Sequence, residues 1–354
     1  MSIQPIQIIG TQRSGSNMLR LMLNQFSKVT APHPPHILQR FYPMLPVYGN
    51  LKYTSNMRHL IDDVCSLVEL NPVPWHIRLN RNQIEELCEE NTLFEIFRVI
   101  YNLKAKQEDA SYWVCKSMTN VNYSVQLESF EQKPLYIHLI RDGRDVACSL
   151  QKTIVGDKHI YNLAEFWKKE QQACIDLKNS IGAERIIHVK YESLIQTPEK
   201  EMSRISKFLG IEYTPDIFDF YKSNDSIETA QAGKMWNNLT KPILNNNFNK
   251  YKNQLSKEDI ILFEHVAGDI LTKLNYTPDF PAESKALILT EKQISHYNEL
   301  NNSMKKAATI QADPKDLNKR IGQKELLDNI SKRMFNTKEI KLFDENIYAR
   351  RAIV

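Results

Sequence analysis

Apolar and polar positions along this 354-residue chain follow the alternation of an α/β protein. Short, mainly apolar runs predict buried parallel strands at 6–10, 112–115, 135–140 and 186–190. Between these runs, apolar residues recur at helical spacing. The pattern therefore predicts a three-layer α/β fold in which a central parallel sheet is flanked by helices.

Two of the predicted helices have clear end signals. Thr197 is predicted to cap the first of them at its start, and Gly210 to end it. Ser256 is predicted to cap the second, with Asp259 three residues later in a capping-box arrangement. The apolar residues of both helices share one face, so both are expected to pack on the core.

The chain is predicted to form a catalytic domain over residues 1–282 and a helical C-terminal extension over 283–354. Within the domain, the long segments 31–110 and 222–253 are predicted insertions that shape a pocket or close over it. The extension would pack on the domain, cap that pocket or join two protomers. A homodimer through the extension is therefore one hypothesis.

Composition narrows the class of protein. Hydrophobic residues make up 42% of the chain, no segment approaches the roughly 20 apolar residues of a membrane span, and the N-terminus lacks the pattern of a signal peptide. The five cysteines are odd in number and lack a Cys-x-x-Cys pair, which predicts reduced thiols and no metal centre. These features predict a cytoplasmic protein without a membrane span.

The formal net charge of +4 arises entirely from an excess of basic residues after position 282. Nucleic-acid binding would need a basic stripe interleaved with aromatic residues, and aromatic residues are sparse there. The basic residues are interpreted as lying on a solvated helical face, which predicts that nucleic acid is not a partner.

The most informative segment is 6–23, where an apolar strand runs into a Gly-containing turn and then into a helical pattern. Such a turn directs backbone N–H groups and a helix N-terminus at one point, so it predicts a phosphate-binding loop. Gly10 and Gly15 have P-loop spacing, but Ser16 and Asn17 stand where the phosphate-binding Lys and the Mg²⁺-binding Ser or Thr would be. The basic residue lies inside the loop, as Arg13, which suits a nucleotide that needs no metal.

Segment 135–150 repeats this arrangement of strand, charged turn and helix. Arg141 ends the strand, and Ser149 lies two helical turns further on. Because ligands bind beyond the carboxyl ends of parallel strands, Arg13 and Arg141 are predicted to line one crevice. Asp142 and Arg144 are interpreted as a solvated helix start with a local ion pair, and Asp145 is predicted to orient Arg141.

With both loops in view, the chain resembles the sulfotransferases that use 3′-phosphoadenosine 5′-phosphosulfate (PAPS). The first loop is similar to the family's 5′-phosphosulfate loop and the second to its 3′-phosphate motif. The likeness extends to segments 189–194 and 251–256, and covers roughly residues 3–280. It implies a P-loop-like fold and PAPS as the sulfuryl donor, with no metal.

The resemblance also implies residue roles. The first loop would hold the 5′-phosphosulfate, the second would hold the 3′-phosphate, and Tyr191 would lie near the adenine. The residues implied for the 5′-phosphosulfate are Arg13, Ser14, Gly15, Ser16 and Asn17, and those implied for the 3′-phosphate are Arg141 and Ser149.

This chain departs from the family pattern at two positions. Many members have Lys where this chain has Arg13, and Arg is too weak an acid to donate a proton, so Arg13 is predicted to act electrostatically. Many relatives with the Lys loop have Trp after it, where Met18 stands here. Met18 would contact the adenine or begin the helix as a core residue.

The transfer needs a general base, and the position of that base varies between branches of the family. The candidates are His33 and His36 in a Pro-rich loop after the first helix, with surface or structural roles as the alternative. His138 is predicted to be a packed core residue. Lys116, which follows a predicted strand, is a candidate contact to an anion or to the acceptor.

The predicted reaction is in-line transfer of a sulfuryl group to an acceptor hydroxyl or amine. A sugar, lipid, small alcohol, phenol or peptide tyrosine would each supply the nucleophile. The alternatives are a Mg-dependent P-loop phosphotransferase and a non-catalytic nucleotide-binding protein. Further candidates for phosphate contacts in segment 222–253 are Lys234, Trp236, Lys241 and Lys250.

Overall fold

The computed structural model describes residues 3–336; residues 337–354 of the predicted extension lie outside the described part. The centre is a five-stranded parallel sheet in the order β2-β3-β1-β4-β5. Its strands are β1 (Gln4–Gly10), β2 (Val29–Thr30), β3 (Tyr112–Cys115), β4 (Leu135–Ile140) and β5 (Ile186–Lys190). The α/β prediction is confirmed, and β2, only two residues long, is the strand that the sequence pattern missed.

The helices flank this sheet and fill the connections between its strands. In chain order they are α1 (Ser16–Leu23), α2 (Ile37–Phe41), α3 (Thr54–Glu69), α4 (Arg81–Leu87), α5 (Leu93–Gln107), α6 (Ser124–Leu127), α7 (Gly143–Gln151), α8 (Ile160–Ile181), α9 (Tyr191–Gln196), α10 (Pro198–Leu209), α11 (Asn224–Gln231), α12 (Tyr251–Gln254), α13 (Lys257–Lys273), α14 (Pro281–Ala286), α15 (Glu291–Ile310), α16 (Pro314–Asn318) and α17 (Ile321–Asn336). Four 3₁₀ segments join them at Tyr42–Tyr48, Met118–Tyr123, Pro215–Lys222 and Lys234–Thr240.

The central strand β1 shows why the fold has three layers. Successive side chains of a strand face opposite sides of the sheet. Ile8 packs in a cluster with residues of α1 and α10, whereas Ile9 packs with residues of α8 on the other side. Both faces of β1 are thus covered, which explains why Ile8 and Ile9 are both apolar although they face opposite sides of the sheet.

Parallel pairing aligns the carboxyl ends of the strands. Gly10 pairs in register with Leu139 of β4, and Gln7 pairs with Cys115 of β3. The residues that follow β1, β3 and β4 therefore leave the sheet at one edge. This edge is where ligands bind in open α/β sheets.

Thr197, Gly210 and Ser256 stand at the helix ends where the sequence placed them. Ser256 accepts a hydrogen bond from the backbone N–H of Asp259 at 3.0 Å, as expected of an N-cap. Thr197 is the N-cap residue of α10, as predicted, but its hydroxyl donates to the carbonyl of Ser193 at 3.1 Å and makes no cap hydrogen bond. The preceding helix α9 ends directly before α10 and supplies that acceptor.

The described part of the C-terminal extension packs on the domain. Ile330 of α17 is fully buried in the cluster formed by α3, α5 and their neighbours. Arg333 forms an ion pair with Asp63 at 2.7 Å, and Gln323 accepts a hydrogen bond from Arg40 at 2.8 Å. α17 therefore covers the 31–110 segment. The domain boundary and the homodimer stay predictions.

The five cysteines are free thiols. Within residues 3–336, no helix combines the length and the apolar character that a membrane crossing requires. The predicted location in the cell stays a prediction.

Candidate functional site

A cavity of about 830 Å³ opens at the carboxyl edge of the sheet. This volume lies in the range of small-ligand pockets. The carboxylates among its described lining residues are Asp145 and Asp157. The basic residues that line it are Arg13, Arg40, Lys116, Arg141, Lys152, Lys241, Lys250 and Arg320. The cavity is therefore strongly cationic and suits an anionic ligand.

The loop between β1 and α1 forms one wall of the cavity. Arg13 and Gly15 both have left-handed backbone conformations, with φ of 68° and 84°. A Cβ on Gly15 would lie 2.4 Å from Cδ2 of Tyr191, so the loop and the Tyr191 ring can be this close only with glycine there. The unpaired N–H groups at the start of α1 add a positive potential at this wall.

Arg13 is held by residues from distant parts of the chain. Its Nε donates to Oγ of Ser149 at 3.1 Å, and its Nη2 donates to the carbonyl of Met235 at 3.2 Å. Burial and the charge of Arg141 lower the pKa of Arg13 to about 10. The guanidinium therefore stays protonated at neutral pH, as an electrostatic role requires.

Arg141 joins the second loop to the first. Its Nη1 donates to the carbonyl of Arg13 at 2.9 Å, and its guanidinium lies 4.5 Å from the centre of the Tyr191 ring. Asp145 Oδ2 lies 3.8 Å from Arg141 Nη2, close enough to orient it. Among the described residues Nε of Arg141 has no hydrogen-bond partner. Arg13, Arg141, Ser149 and Tyr191 thus form one cluster.

Asp142 and Arg144 are not the solvated helix start that the sequence suggested. Both are buried, and Arg144 pairs with Asp142 at 2.8 Å and with Glu264 at 2.6 Å. The local ion pair is present, but α13 covers it and adds the carboxylate of Glu264. The sequence could not show this, because that contact spans 120 residues.

Lys116 follows β3 and lines the cavity. Only 7% of the residue is exposed, and no hydrogen bond or ion pair joins Nζ to another described residue. Burial, with the charges of Arg20 and Arg13, lowers the pKa of Lys116 to about 7. A buried cation that has no anionic partner among the described residues is a natural contact for an anionic ligand.

The two candidate bases differ in position. His36 lines the cavity, whereas the His33 ring packs edge-on against Trp236 at 5.0 Å and does not line it. Burial, followed by the charge of Lys116, lowers the pKa of both imidazoles well below 6.5. Both are therefore neutral at physiological pH and able to accept a proton, but geometry favours His36.

The remaining predicted residues are divided between the cavity and its surroundings. Gly15, Ser16 and Asn17 line the cavity, and the buried Oδ1 of Asn17 has no partner among the described residues. Ser14, in the same loop, is buried and does not line the cavity. Lys234 is turned away and pairs with Asp313 at 2.7 Å, whereas the cavity is lined by Met18, Trp236, Lys241 and Lys250.

His138 is a packed core residue, as predicted. It is fully buried and lies 2.9 Å from His188 and 2.8 Å from Oε1 of Gln171. Burial and His188 lower its pKa to about 3, so it stays neutral.

Sequence reasoning missed several contributors to the cavity, and three of them show why. Asn247 donates to Tyr191 Oη at 2.6 Å, and Arg40 and Arg320 line the wall near His36. Arg320 was assigned to a solvated face, because nothing local shows that its helix packs on the 31–110 segment. The pattern of apolar and polar residues shows where the strands end, but it gives no comparable signal for Asn247, Arg40 or Arg320.

The polar groups that line the cavity suit an anionic ligand. Within residues 3–336, no group of three or more His, Cys, Asp and Glu side chains is placed to hold a metal. Buried polar atoms without protein partners, on Asn17 and Arg141, lie beside the loops that would bind phosphate. The donor set consists of guanidinium, ammonium and N–H groups, which bind phosphate and sulfate oxygens.

The parallel sheet, the glycine loop before α1 and the second arginine after β4 define a P-loop-like fold with an anion site at its carboxyl edge. A family profile described as the sulfotransferase family matches residues 5–215, more than half of the chain. The chain belongs to this family.

Known proteins agree with this assignment. The chain is similar to protein-tyrosine sulfotransferase 2 of Gallus gallus, at 22% identity over 77% of this chain and 69% of that protein. It is also similar to protein-tyrosine sulfotransferase A of Caenorhabditis elegans, at 23% identity over 77% and 67%. The solved sulfotransferase domain from the curacin biosynthetic pathway shares its fold, with a TM-score of 0.50, 18% identity, and coverage of 78% of this chain and 99% of that one.

Proposed function

We propose that this protein transfers a sulfuryl group from PAPS to an acceptor hydroxyl, without a metal ion. The observation that carries the proposal is the convergence of Arg13 and Arg141, from two strand-to-helix loops, in one cationic cavity. A bisphosphorylated nucleotide has two anionic groups, and each of the two loops brings one arginine to the cavity. The chain's membership of the sulfotransferase family supports the same donor.

Each predicted residue has a role in this proposal. The first loop binds the 5′-phosphosulfate through Arg13, Gly15, Ser16 and Asn17, while Ser14 is buried within the loop. Arg141 and Ser149 bind the 3′-phosphate, and Tyr191 holds the adenine side of the cleft together with Asn247. Binding a phosphate would require Ser149 to share its hydroxyl between Arg13 and the ligand.

The chemistry is a displacement at sulfur. The acceptor oxygen forms a bond to sulfur while the bond from sulfur to the 5′-phosphate oxygen breaks, and the acceptor's proton passes to His36. Arg13 and Lys116 stabilise the negative charge that develops on the departing phosphate. The charge of Lys116 disfavours the imidazolium that forms at His36. The negative charge of the bound nucleotide offsets this effect.

The acceptor is proposed to be a hydroxyl compound that enters beside His36, between the 31–110 and 222–253 segments. Small molecules, carbohydrates and lipids supply such groups. A tyrosine hydroxyl is the first to test, because the two curated relatives are protein-tyrosine sulfotransferases.

The experiment is calorimetric titration with 3′,5′-adenosine bisphosphate (PAP), the product nucleotide, in metal-free buffer. Parallel titrations use 5′-AMP and Mg-ATP. We expect PAP to bind without metal and more tightly than 5′-AMP, since only PAP places a phosphate at Arg141. The Arg141→Ala substitution is expected to weaken PAP binding by roughly a hundredfold, the equivalent of one or two charge-assisted hydrogen bonds.

A matched control is Arg78→Ala, which removes an exposed arginine that does not line the cavity. It should leave PAP affinity unchanged. Equal or tighter binding of Mg-ATP would contradict the proposal and favour a phosphotransferase. Tight PAP binding without turnover of PAPS on any acceptor would favour a non-catalytic binding protein.

A further inference from the structure

Helix α15 of the C-terminal extension contacts the domain at the loop between α7 and α8, residues 152–159. All 20 residues of α15 belong to the described part of the chain, and Asn301 is the one buried residue among them. A helix that buries so little of its surface gains little from the apolar packing that usually fastens a helix to a domain. Its polar contacts are concentrated on the end of the 152–159 loop.

Asn301 is the centre of this contact. Its Oδ1 accepts hydrogen bonds from the backbone N–H of Lys158 at 2.7 Å and of His159 at 3.1 Å. Its Nδ2 donates to Oδ1 of Asp157 at 2.8 Å. The ring of Tyr297, on the same helix, stacks on that of His159 with 4.6 Å between the ring centres. One buried amide of the extension therefore holds three consecutive residues of the loop.

The 152–159 loop forms part of the cavity wall. Its lining residues are Lys152, Thr153, Val155, Gly156 and Asp157. Burial raises the pKa of the Cys148 thiol to about 11, and the charges of Asp145, Lys152 and Arg141 also act on it. Because Lys152 and Arg141 act on the same thiol, this wall borders the Arg141 end of the cavity.

Lys158 extends the contact from the loop to α7. Only 2% of this residue is exposed. Its Nζ donates to the carbonyl of Leu150 at 2.8 Å and to that of Val155 at 2.7 Å. Leu150 lies in the last turn of α7, where carbonyl groups lack partners within the helix and the helix dipole favours a positive charge. Since Leu150 follows Ser149, the contact joins Asn301 to the part of α7 that carries Ser149.

The position of Ser149 matters for the proposed 3′-phosphate site. Binding groups must be held within about 0.5 Å of the productive geometry, and Ser149 lies near a helix end, where helices fray. Lys158 and Asn301 restrain this helix end from outside. The family profile matches residues 5–215, so α15 lies beyond the matched part of the chain.

We propose that α15, through Asn301, positions the 152–159 loop and the last turn of α7 for binding of the nucleotide's 3′-phosphate. This rests on the proposed function, because it concerns the nucleotide end of the same cavity. Asn301 and Lys158 do not line the cavity, so they are positioning residues that act through Ser149 and the loop. The C-terminal extension is thereby a component of the nucleotide site.

The test is calorimetric titration of the full chain with PAP and with 5′-AMP, the affinity of 5′-AMP being measured by its competition with PAP. The two nucleotides differ in the 3′-phosphate. We expect Asn301→Ala to weaken PAP binding about tenfold and 5′-AMP binding by less than about twofold, whereas a merely structural role would affect both nucleotides alike.

Lys158→Met should cause the same selective loss, because it removes the hydrogen bonds to the end of α7. The double variant should lose about as much PAP affinity as either single variant, since both substitutions break one series of contacts. A loss of about a hundredfold in the double variant would show that the two residues act independently and would overturn the inference.

Asn302→Ala is the matched control, because it removes the same amide from the adjacent exposed residue of α15. It should leave both affinities unchanged. Three further results would overturn the inference: unchanged PAP affinity in Asn301→Ala or Lys158→Met, an equal loss for PAP and 5′-AMP, or an equal loss in Asn302→Ala. Lys158→Met decides the question if Asn301→Ala does not fold. Failure of the parent chain to bind PAP would instead overturn the proposed function, and this inference with it.

Discussion

At the scale of single residues, the burial of Lys116 changes its pKa and therefore its response to an anionic ligand. Its pKa of about 7 is far below the usual value for lysine, because the ammonium group is buried beside other cations. An anion placed next to it favours the charged form and raises the pKa again. Ligand binding and proton binding at Lys116 should therefore be coupled.

The prediction is that PAP binding at pH 8 takes up close to one proton. The free protein has Lys116 mostly neutral at that pH, and the bound protein has it mostly charged, so affinity should fall as the pH rises above about 7. Titration in two buffers with different ionisation enthalpies measures the uptake. The Lys116→Met variant should show no such uptake, and persistence of the uptake in that variant would exclude Lys116 as its source.

The second residue-scale prediction concerns the general base. His36 has a left-handed backbone, with φ of 61°, which Asn tolerates better than most residues, so His36→Asn is the conservative test. We expect it to lower kcat for sulfuryl transfer to a phenol by about 10²-fold or more and to leave PAP affinity unchanged. His33→Asn should mainly lower stability, since it removes the contact with Trp236. The opposite pattern would move the base to His33.

At the scale of elements, the position of the loop between β4 and α7, which carries Arg141, depends on how closely three helices pack. Gly143 begins α7, and a Cβ there would lie 2.5 Å from Cζ of Phe263 on α13 and 2.6 Å from Cδ2 of Trp167 on α8. Trp167 also donates from its indole nitrogen to the carbonyl of Arg141 at 3.2 Å. The same contact that requires glycine therefore positions the loop that carries Arg141.

Gly143→Ala is accordingly expected to lower the free energy of unfolding by about 1–3 kcal/mol through overpacking. Gly268→Ala is the paired substitution, because Gly268 lies within α13 and nothing lies within 4 Å of a Cβ there. It should be neutral or stabilise by up to about 1 kcal/mol through helix propensity. Urea denaturation of the two variants measures the difference, and similar effects would contradict the packing argument.

At the scale of the whole molecule, the C-terminal extension is bound to the domain by a buried side chain and by polar contacts. Ile330 is fully buried against the 31–110 segment, and Arg333 pairs with Asp63. Asp63 also accepts a hydrogen bond from Tyr48 at 2.7 Å. The core of the insertion and the core of the extension are therefore one cluster.

Ile330→Ala is expected to lower the free energy of unfolding by about 2–4 kcal/mol, as a buried large-to-small substitution does. Ile310→Ala makes the same change at a residue that is 84% exposed and should stay within about 0.5 kcal/mol of the parent chain. Denaturation in urea compares the two. An equally small effect at Ile330 would show that α17 does not share the core.

The sequence alone determined four of the five strands and the two loops that carry Arg13 and Arg141. Strands β3, β4 and β5 have the bounds that their apolar runs predicted, and β1 begins two residues before its predicted start. Short apolar runs and glycine turns act within a few residues, so the order of the chain records them. Parallel pairing then required Arg13 and Arg141 to meet at one edge.

Tertiary structure decided which of the remaining candidates reach the cavity. It placed His36 in the wall and His33 against Trp236, buried Arg144 beneath α13, and brought Arg320 beside Arg40. These outcomes depend on contacts between residues more than a hundred positions apart, or on the direction in which a loop residue points. Such contacts are fixed by how whole helices pack, and no local pattern of apolar and polar residues encodes them.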